Sequence, residues 1–164
     1  MNVVRCIKSL LVGSVALFAL LVAWNNVVDY GSNFAFVQHV LSMDTTFPGN
    51  ALMHRAITTP ALHHAAYWLI IAAEAATGLI CAVGCIQMLR ANRADAIAYG
   101  RARLIATIGL FTGILLWSTG FMTIGAEYFL MWQSAEWNGQ EAAFRFIMIL
   151  FATLIFLHQS ESDG

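Results

Sequence analysis

The chain has 164 residues, of which 60% are hydrophobic and only 10% are charged, and its mean hydropathy is +0.72. Soluble domains carry about 25% charged residues, so this composition excludes an ordinary water-soluble protein and indicates a single integral membrane domain. The formal net charge of −1 gives no basis for binding nucleic acid.

Four apolar segments are long enough to cross a bilayer. The hydrocarbon core is about 30 Å thick, and a helix that rises about 1.5 Å per residue needs about 20 residues to span it. Lipid cannot satisfy backbone amides, so these segments must be helices. We predict an all-α, polytopic four-helix membrane bundle with spans at about residues 8–28, 62–89, 103–125 and 142–159.

The basic residues predict the orientation of the bundle. Six of the eight Lys and Arg residues lie at or before the start of the first span, or between the end of the second span and the start of the third. Cytoplasmic loops carry such an excess, which predicts a multi-pass protein of the bacterial inner membrane with both termini in the cytoplasm. The first span is too long for a secretory signal and lacks a cleavage site, so we expect it to be retained. The six residues are Arg5, Lys8, Arg90, Arg93, Arg101 and Arg103.

The connection between the first two spans, residues 29–60, is too long and too apolar for an unstructured loop. Its apolar residues have helical spacing over Asn33–Met43. A second short helix is predicted over Ala51–Thr58, and Thr59 and Pro60 suit the start of the second span. We therefore expect a cap of two short helices on the outer side of the bundle.

Residues in and just before this cap resemble the signature of a known family. They are Trp24, Asn25, Asn26, Asp29, Tyr30, Ser32, Asn33, Phe34, Phe36, Val37, His39, Val40, Met43, Asp44, Thr45, Thr46 and Phe47. The chain resembles, over nearly its whole length, an uncharacterised bacterial family of predicted small integral membrane proteins. The resemblance implies a membrane location and this topology, but no activity and no functional residue.

Polar residues of all four spans fall at a similar depth, about 20–26 Å from the basic ends of the helices. Glu74 and Arg145 are ionisable, and such residues within spans are candidates for function. We predict that Glu74 faces Arg145, with Asn25 or Asn26 and Thr119 completing a polar network. Alternatively, Arg145 extends outward to the headgroups and Glu74 stays neutral.

His63, Tyr67 and Glu74 lie four and then seven residues apart in the second span and share one helix face. Such a face is either a proton or cation path that opens to the outside or a polar seam that packs the bundle. We favour the seam.

Small residues in the third span predict close helix packing. Gly109, Gly113 and Gly120 fall on one face, and stripes of this kind permit close backbone approach in lipid. The stripe serves packing within the chain, contact with a partner membrane protein, or a homo-oligomer, and these alternatives stay open.

No metal or cofactor is predicted. The outer-side histidines and nearby methionines are residue types that suit copper, but they form no compact ligand motif. Haem needs two histidines at matched depth, whereas His158 is at the other end from His63 and His64. The three cysteines, an odd number in or beside apolar segments, are interpreted as reduced packing thiols: Cys6, Cys81 and Cys85. The alternative is a metal or redox pair at Cys81 and Cys85, which lie four residues apart on one helix.

The leading functional hypothesis is a non-catalytic membrane subunit or accessory protein, because the polar groups are few and dispersed. Its partners would be the lipid bilayer and either another membrane protein or a second copy. The alternatives are an oligomeric proton-coupled transporter or channel that uses Glu74 and His63, and a redox anchor that binds haem, quinone or copper.

Overall fold

A computed structural model describes residues 2–160 of the chain. Within that range the structure consists of helices and connecting turns, without a strand. Four helices are long and apolar enough to cross a membrane, which confirms the predicted all-α bundle, and a fifth, shorter helix belongs to the cap. The helices are α1 (Val3–Val28), α2 (Tyr30–Ser42), α3 (Pro60–Arg90), α4 (Ala96–Ile114, continued by the π-helical segment Leu115–Tyr128) and α5 (Gln140–His158).

The start of α1, the α3–α4 loop and the end of α5 meet at one end of the bundle, here called the basic end. Lys8 is only 1% exposed, and its Nζ donates a hydrogen bond of 2.7 Å to the carbonyl of Gln159. Arg5 donates to the carbonyl of Ala94, and its guanidinium lies 4.3 Å from the centre of the Tyr99 ring. Cationic side chains thus join three segments of the chain at this end.

Glycines bring α3 and α4 into close contact in the basic-end half. A Cβ atom added at Gly84 would lie 2.6 Å from the backbone nitrogen of Ala106, and one at Gly109 would lie 2.8 Å from that of Cys81. Such distances leave no room for a side chain unless backbone moves. These glycines are therefore a packing requirement of the α3–α4 pair.

The predicted glycine stripe divides into two parts in the structure. Gly113 packs inside the chain as Gly109 does, because an added Cβ would lie 2.9 Å from Thr77 and 3.0 Å from Leu150. Gly120 does not belong to this contact, since an added Cβ would meet only Leu116 of its own helix at 3.7 Å. The stripe ends where α4 becomes π-helical, and the spacing of the α-helix no longer applies beyond that point.

The cap covers the opposite end of the bundle, here called the cap end. Between α1 and α2 the chain turns at Asp29, and α2 is followed by Met43, which has a left-handed conformation with φ 55°. The Met43 side chain is buried against Leu130 and Met131 of the α4–α5 connection. Both cap-end connections are thereby packed against each other.

The second predicted cap helix, Ala51–Thr58, is only a single 3-10 turn at Met53–Arg55. The chain cannot continue as a helix there because Ile57 donates its N–H to the carbonyl of Leu41, at 2.8 Å. Pro60 is at the start of α3 as predicted, but the side chain of Thr59 makes no capping hydrogen bond.

Candidate functional site

The polar site inside the bundle is centred on Glu74 of α3. Its side chain is 3% exposed, and Asn26 of α1, which is 5% exposed, donates from Nδ2 to Glu74 Oε2 at 2.8 Å. Burying a carboxyl group without a hydrogen-bond donor is costly. The Asn26 amide therefore gives Glu74 the partner that its burial requires.

The hydrogen-bonded chain continues from Asn26 into the cap. Asn33 of α2 donates to the side-chain oxygen of Asn26 at 2.6 Å, and the Tyr67 hydroxyl donates to the Asn26 backbone carbonyl at 3.3 Å. Asn26 thus connects α1 with both α2 and α3. We refer to the linear arrangement of Glu74, Asn26 and Asn33 as the polar chain.

Arg145 does not take the place at Glu74 that the sequence predicted. It is exposed and pairs with Glu141, one turn earlier on α5. Because α5 begins at Gln140, Arg145 lies in its second turn, near the cap end, where a neighbouring carboxylate is reached without burying either charge.

Asn25 and Thr119 also lie outside the polar chain, since both are exposed on the bundle surface. Asn25 precedes Asn26 and points to a different side of α1. Thr119 belongs to the π-helical segment, where a face assigned from the α-helical period is misplaced.

His63 is buried in α3 together with Tyr67 and Glu74, but it serves a different contact. Its Nε2 lies 2.7 Å from the carbonyl of Ile57 in the connection that leads into α3. Nδ1 is buried without a hydrogen-bond partner among residues 2–160. His63 therefore contacts the cap connection rather than Glu74.

The remaining cap residues of the predicted motif contact α3, the α4–α5 connection and neighbouring residues of the cap itself. The Tyr30 hydroxyl lies 2.8 Å from Nδ1 of His64, and the Tyr30 ring packs edge-on against Tyr67 with ring centres 4.7 Å apart. His39 Nδ1 lies 2.9 Å from Asp44, and the His39 ring stacks on Trp137 at 4.5 Å. Asp29 accepts a hydrogen bond from the Ser32 hydroxyl at 2.7 Å.

A partly open cavity of about 280 Å³ lies beside the polar chain, in the cap-end half of the bundle. Glu74, Asn26 and Asn33 line one part of it. Two pairs of aromatic rings line other parts: Trp117 with Phe146 (ring centres 5.3 Å apart) and Phe36 with Phe121 (6.1 Å). The first cavity thus combines aromatic walls with one carboxyl group.

A second cavity, of about 180 Å³, adjoins the first, and Phe36, Val37, Ile70 and Phe121 line both. Its lining is apolar and includes Gly120 and Gly125 of the π-helical segment. Gly120, the third glycine of the predicted stripe, therefore lines this cavity rather than a helix contact. The two cavities occupy the region in which α3 and the continuation of α4 diverge. Sequence reasoning missed them because no apolar pattern distinguishes a π-helix from an α-helix.

Within the described part of the chain, no group of three or more His, Cys, Asp and Glu side chains is placed to hold a metal ion. His158 lies at the basic end, where its Nε2 is 2.8 Å from the Thr107 hydroxyl, far from His63 and His64 at the cap end. All three cysteines, Cys6, Cys81 and Cys85, are free thiols.

Comparison with known protein families gives a match over nearly the whole chain. A family model described as predicted small integral membrane protein (DUF2165) matches residues 4–160, which include the cap and nearly all of every spanning helix. No curated protein and no solved structure matches the chain.

Proposed function

We propose that this chain, which belongs to the family of predicted small integral membrane proteins (DUF2165), is a non-catalytic subunit or accessory protein of the bacterial inner membrane. The observation that carries the proposal is the role of Glu74, the one acidic residue deep inside a span. Glu74 accepts a hydrogen bond from Asn26, and Asn26 accepts one from Asn33, so these two hydrogen bonds connect Glu74 to the cap helix α2. A buried carboxyl group used in this way stabilises a fixed arrangement of helices.

The cap presents an apolar surface suited to contact with a partner membrane protein. Phe47 is 55% exposed, and its ring packs edge-on against Trp132 at 5.7 Å. The backbone of Phe47 is in turn held by Gln133, which accepts its N–H at 3.0 Å. Exposed aromatic residues on an ordered turn are typical of protein contacts and of membrane interfaces.

In the proposed orientation the basic end faces the cytoplasm, because the Arg and Lys residues of the chain concentrate there. A green fluorescent protein fused to the C-terminus should fluoresce, whereas an alkaline phosphatase fused at the same place should be inactive. An active phosphatase would reverse the orientation and would place the cap in the cytoplasm.

Photo-crosslinking in native membranes tests the accessory role. A photoreactive residue at Phe47 should form an adduct of defined mass with one membrane protein, and the same protein should co-purify with the chain without crosslinking. Ile155, on the exposed face of α5, is the matched control site and should give lipid adducts. Lipid adducts alone at both sites, with no co-purifying protein, would contradict the proposal.

The cavity beside Glu74 is the observation that favours a second candidate, an oligomeric proton-coupled transporter or channel. Purified protein in liposomes should show no proton flux if the accessory role is correct. A flux that disappears in Glu74→Gln and persists in Glu127→Gln, which alters an exposed carboxylate, would favour the transporter instead.

A further inference from the structure

We propose that the cavity beside Glu74 binds a lipophilic organic cation, namely an ammonium compound with one aromatic ring and an apolar substituent. The proposal goes beyond the accessory role and does not depend on it, because binding is a property of the purified chain. It rests on the charge of the cavity, its aromatic walls, its unused hydrogen-bonding capacity and its size.

The charge of the lining favours a cation. Glu74 contributes the one carboxyl group, and no Lys, Arg or His of the described chain lines either cavity. The nearest basic side chain on α5, Arg145, is exposed and already pairs with Glu141. An ammonium group would therefore meet an acidic partner without a competing positive charge.

Aromatic rings provide the second part of the recognition. A cation is attracted to the face of an aromatic ring, and the attraction strengthens when both are removed from water. Trp117 and Phe146 form one pair of rings in the lining, and Phe36 and Phe121 form another. Quaternary ammonium groups are recognised elsewhere by aromatic walls of this kind.

The polar wall of the cavity offers an unused acceptor, a carboxyl oxygen of Glu74. Among the described residues, Glu74 Oε2 accepts from Asn26, whereas Glu74 Oε1 has no hydrogen-bond partner. The neighbouring Asn26 and Asn33 amides and the Tyr67 hydroxyl each already donate one hydrogen bond to a protein oxygen. A ligand that brings positive charge would complement the free oxygen.

The dimensions fit a compact head with an apolar extension. An apolar cavity of about 150 Å³ is large enough for benzene, so the first cavity, of about 280 Å³, has room for one ring and an ammonium group. The second cavity would take the apolar substituent. Leu69 (72% exposed) and Ile124 (47% exposed) line the second cavity, which therefore reaches the lipid-facing surface of the bundle.

The test is equilibrium binding to the purified full chain in mild detergent, with empty micelles subtracted. The probe is benzyldimethyloctylammonium, and the comparison compound is its neutral isostere, in which carbon replaces the nitrogen. The wild type should bind the cation at least about tenfold more tightly than the isostere. Equal affinities for the two compounds would overturn the proposal without recourse to any variant.

Two substitutions then locate the site. Glu74→Gln keeps the shape of the side chain and should bring the affinity for the cation several-fold closer to that for the isostere, whereas Glu127→Gln should leave both affinities unchanged. Phe121→Leu should weaken binding of the cation several-fold and that of the isostere much less. Unchanged discrimination in a Glu74→Gln protein of normal helicity and elution volume would also overturn the proposal; if that variant fails to fold, the wild-type comparison and Phe121→Leu decide.

Discussion

In the basic-end half of the bundle, α3 and α4 approach so closely that backbone meets backbone, whereas in the cap-end half two cavities adjoin the same pair of helices. Gly84 and Gly109 are the residues of closest approach in the first half. In the second half Trp117 and Phe121 occupy α4, and the helix widens into π-helical geometry. The same two helices therefore change from close packing to an open arrangement along their length.

The difference shows how a small membrane protein can combine rigidity with internal space. Lipid tails are as apolar as leucine, so helices in a bilayer associate mainly through close packing and hydrogen bonds. The basic-end half uses close packing of small residues. The cap-end half uses the polar chain of Glu74, Asn26 and Asn33, which holds helices together while leaving room beside them.

The largest effect is expected from filling the closest helix contact. Gly84→Ala places a Cβ atom 2.6 Å from the Ala106 nitrogen, so α3 and α4 must separate. We expect the free energy of unfolding to fall by about 3 kcal/mol, which is the upper part of the range for overpacking. The measurement is the Tm in detergent, which should be lower. Gly100→Ala, where an added Cβ meets nothing within 4 Å, is the control and should be neutral or slightly stabilising. Equal Tm values for the two variants would remove the distinction between the halves.

The next effect tests the polar chain at its centre. Asn26→Ala removes the donor to Glu74 and the acceptor for Asn33, which leaves the buried carboxyl group without a partner. A buried polar group that loses its partner costs about 1–3 kcal/mol, and we expect a value near 2 kcal/mol from thermal unfolding. Asn25→Ala, one residue away but exposed, should leave Tm unchanged. A similar small effect of both substitutions would show that the polar chain does not stabilise the bundle.

The helices of both halves could be predicted from the sequence, because each span is a long apolar segment with few or no charged residues. The cap helix α2 was also predicted, from its apolar spacing. The second cap helix was wrong, since a tertiary hydrogen bond between Ile57 and Leu41 decides that local structure. Spacing along the chain carries no information about such a contact.

The site was only partly predictable. Depth along the helices correctly brought Asn26 to the level of Glu74, because rise per residue is uniform in an α-helix. Depth does not determine rotation, so Thr119 and Arg145 were assigned to the network although both face outward. Asn33 was predicted as a cap residue but not as a partner of Asn26, because its contact depends on how α2 folds back over α1.

A smaller effect is expected from a substitution that removes the hydrogen bond between the cap helix α2 and the bundle. Asn33→Ala removes the last link of the polar chain but leaves Asn26 and Glu74 paired. We expect the free energy of unfolding to fall by about 1 kcal/mol. We also expect faster amide hydrogen exchange, confined to α2. Gln38→Ala, at an exposed position of α2, is the control. Faster exchange throughout α3 as well would mean that cap and bundle unfold as one unit.

The smallest effect is expected at the residue that the sequence placed at the centre of the network. Arg145 pairs with Glu141 at the exposed start of α5, and exposed pairs of this kind contribute about 0.3–0.5 kcal/mol. Arg145→Ala and Glu141→Ala should therefore each lower stability by no more than about 0.5 kcal/mol, and the double variant should show a coupling energy of the same size. A loss above about 2 kcal/mol for Arg145→Ala, absent in Glu141→Ala and abolished in a Glu74→Gln background, would instead mean that Arg145 reaches into the bundle. The cavity beside Glu74 would then hold a guanidinium group of the protein itself, and no external cation could take that place.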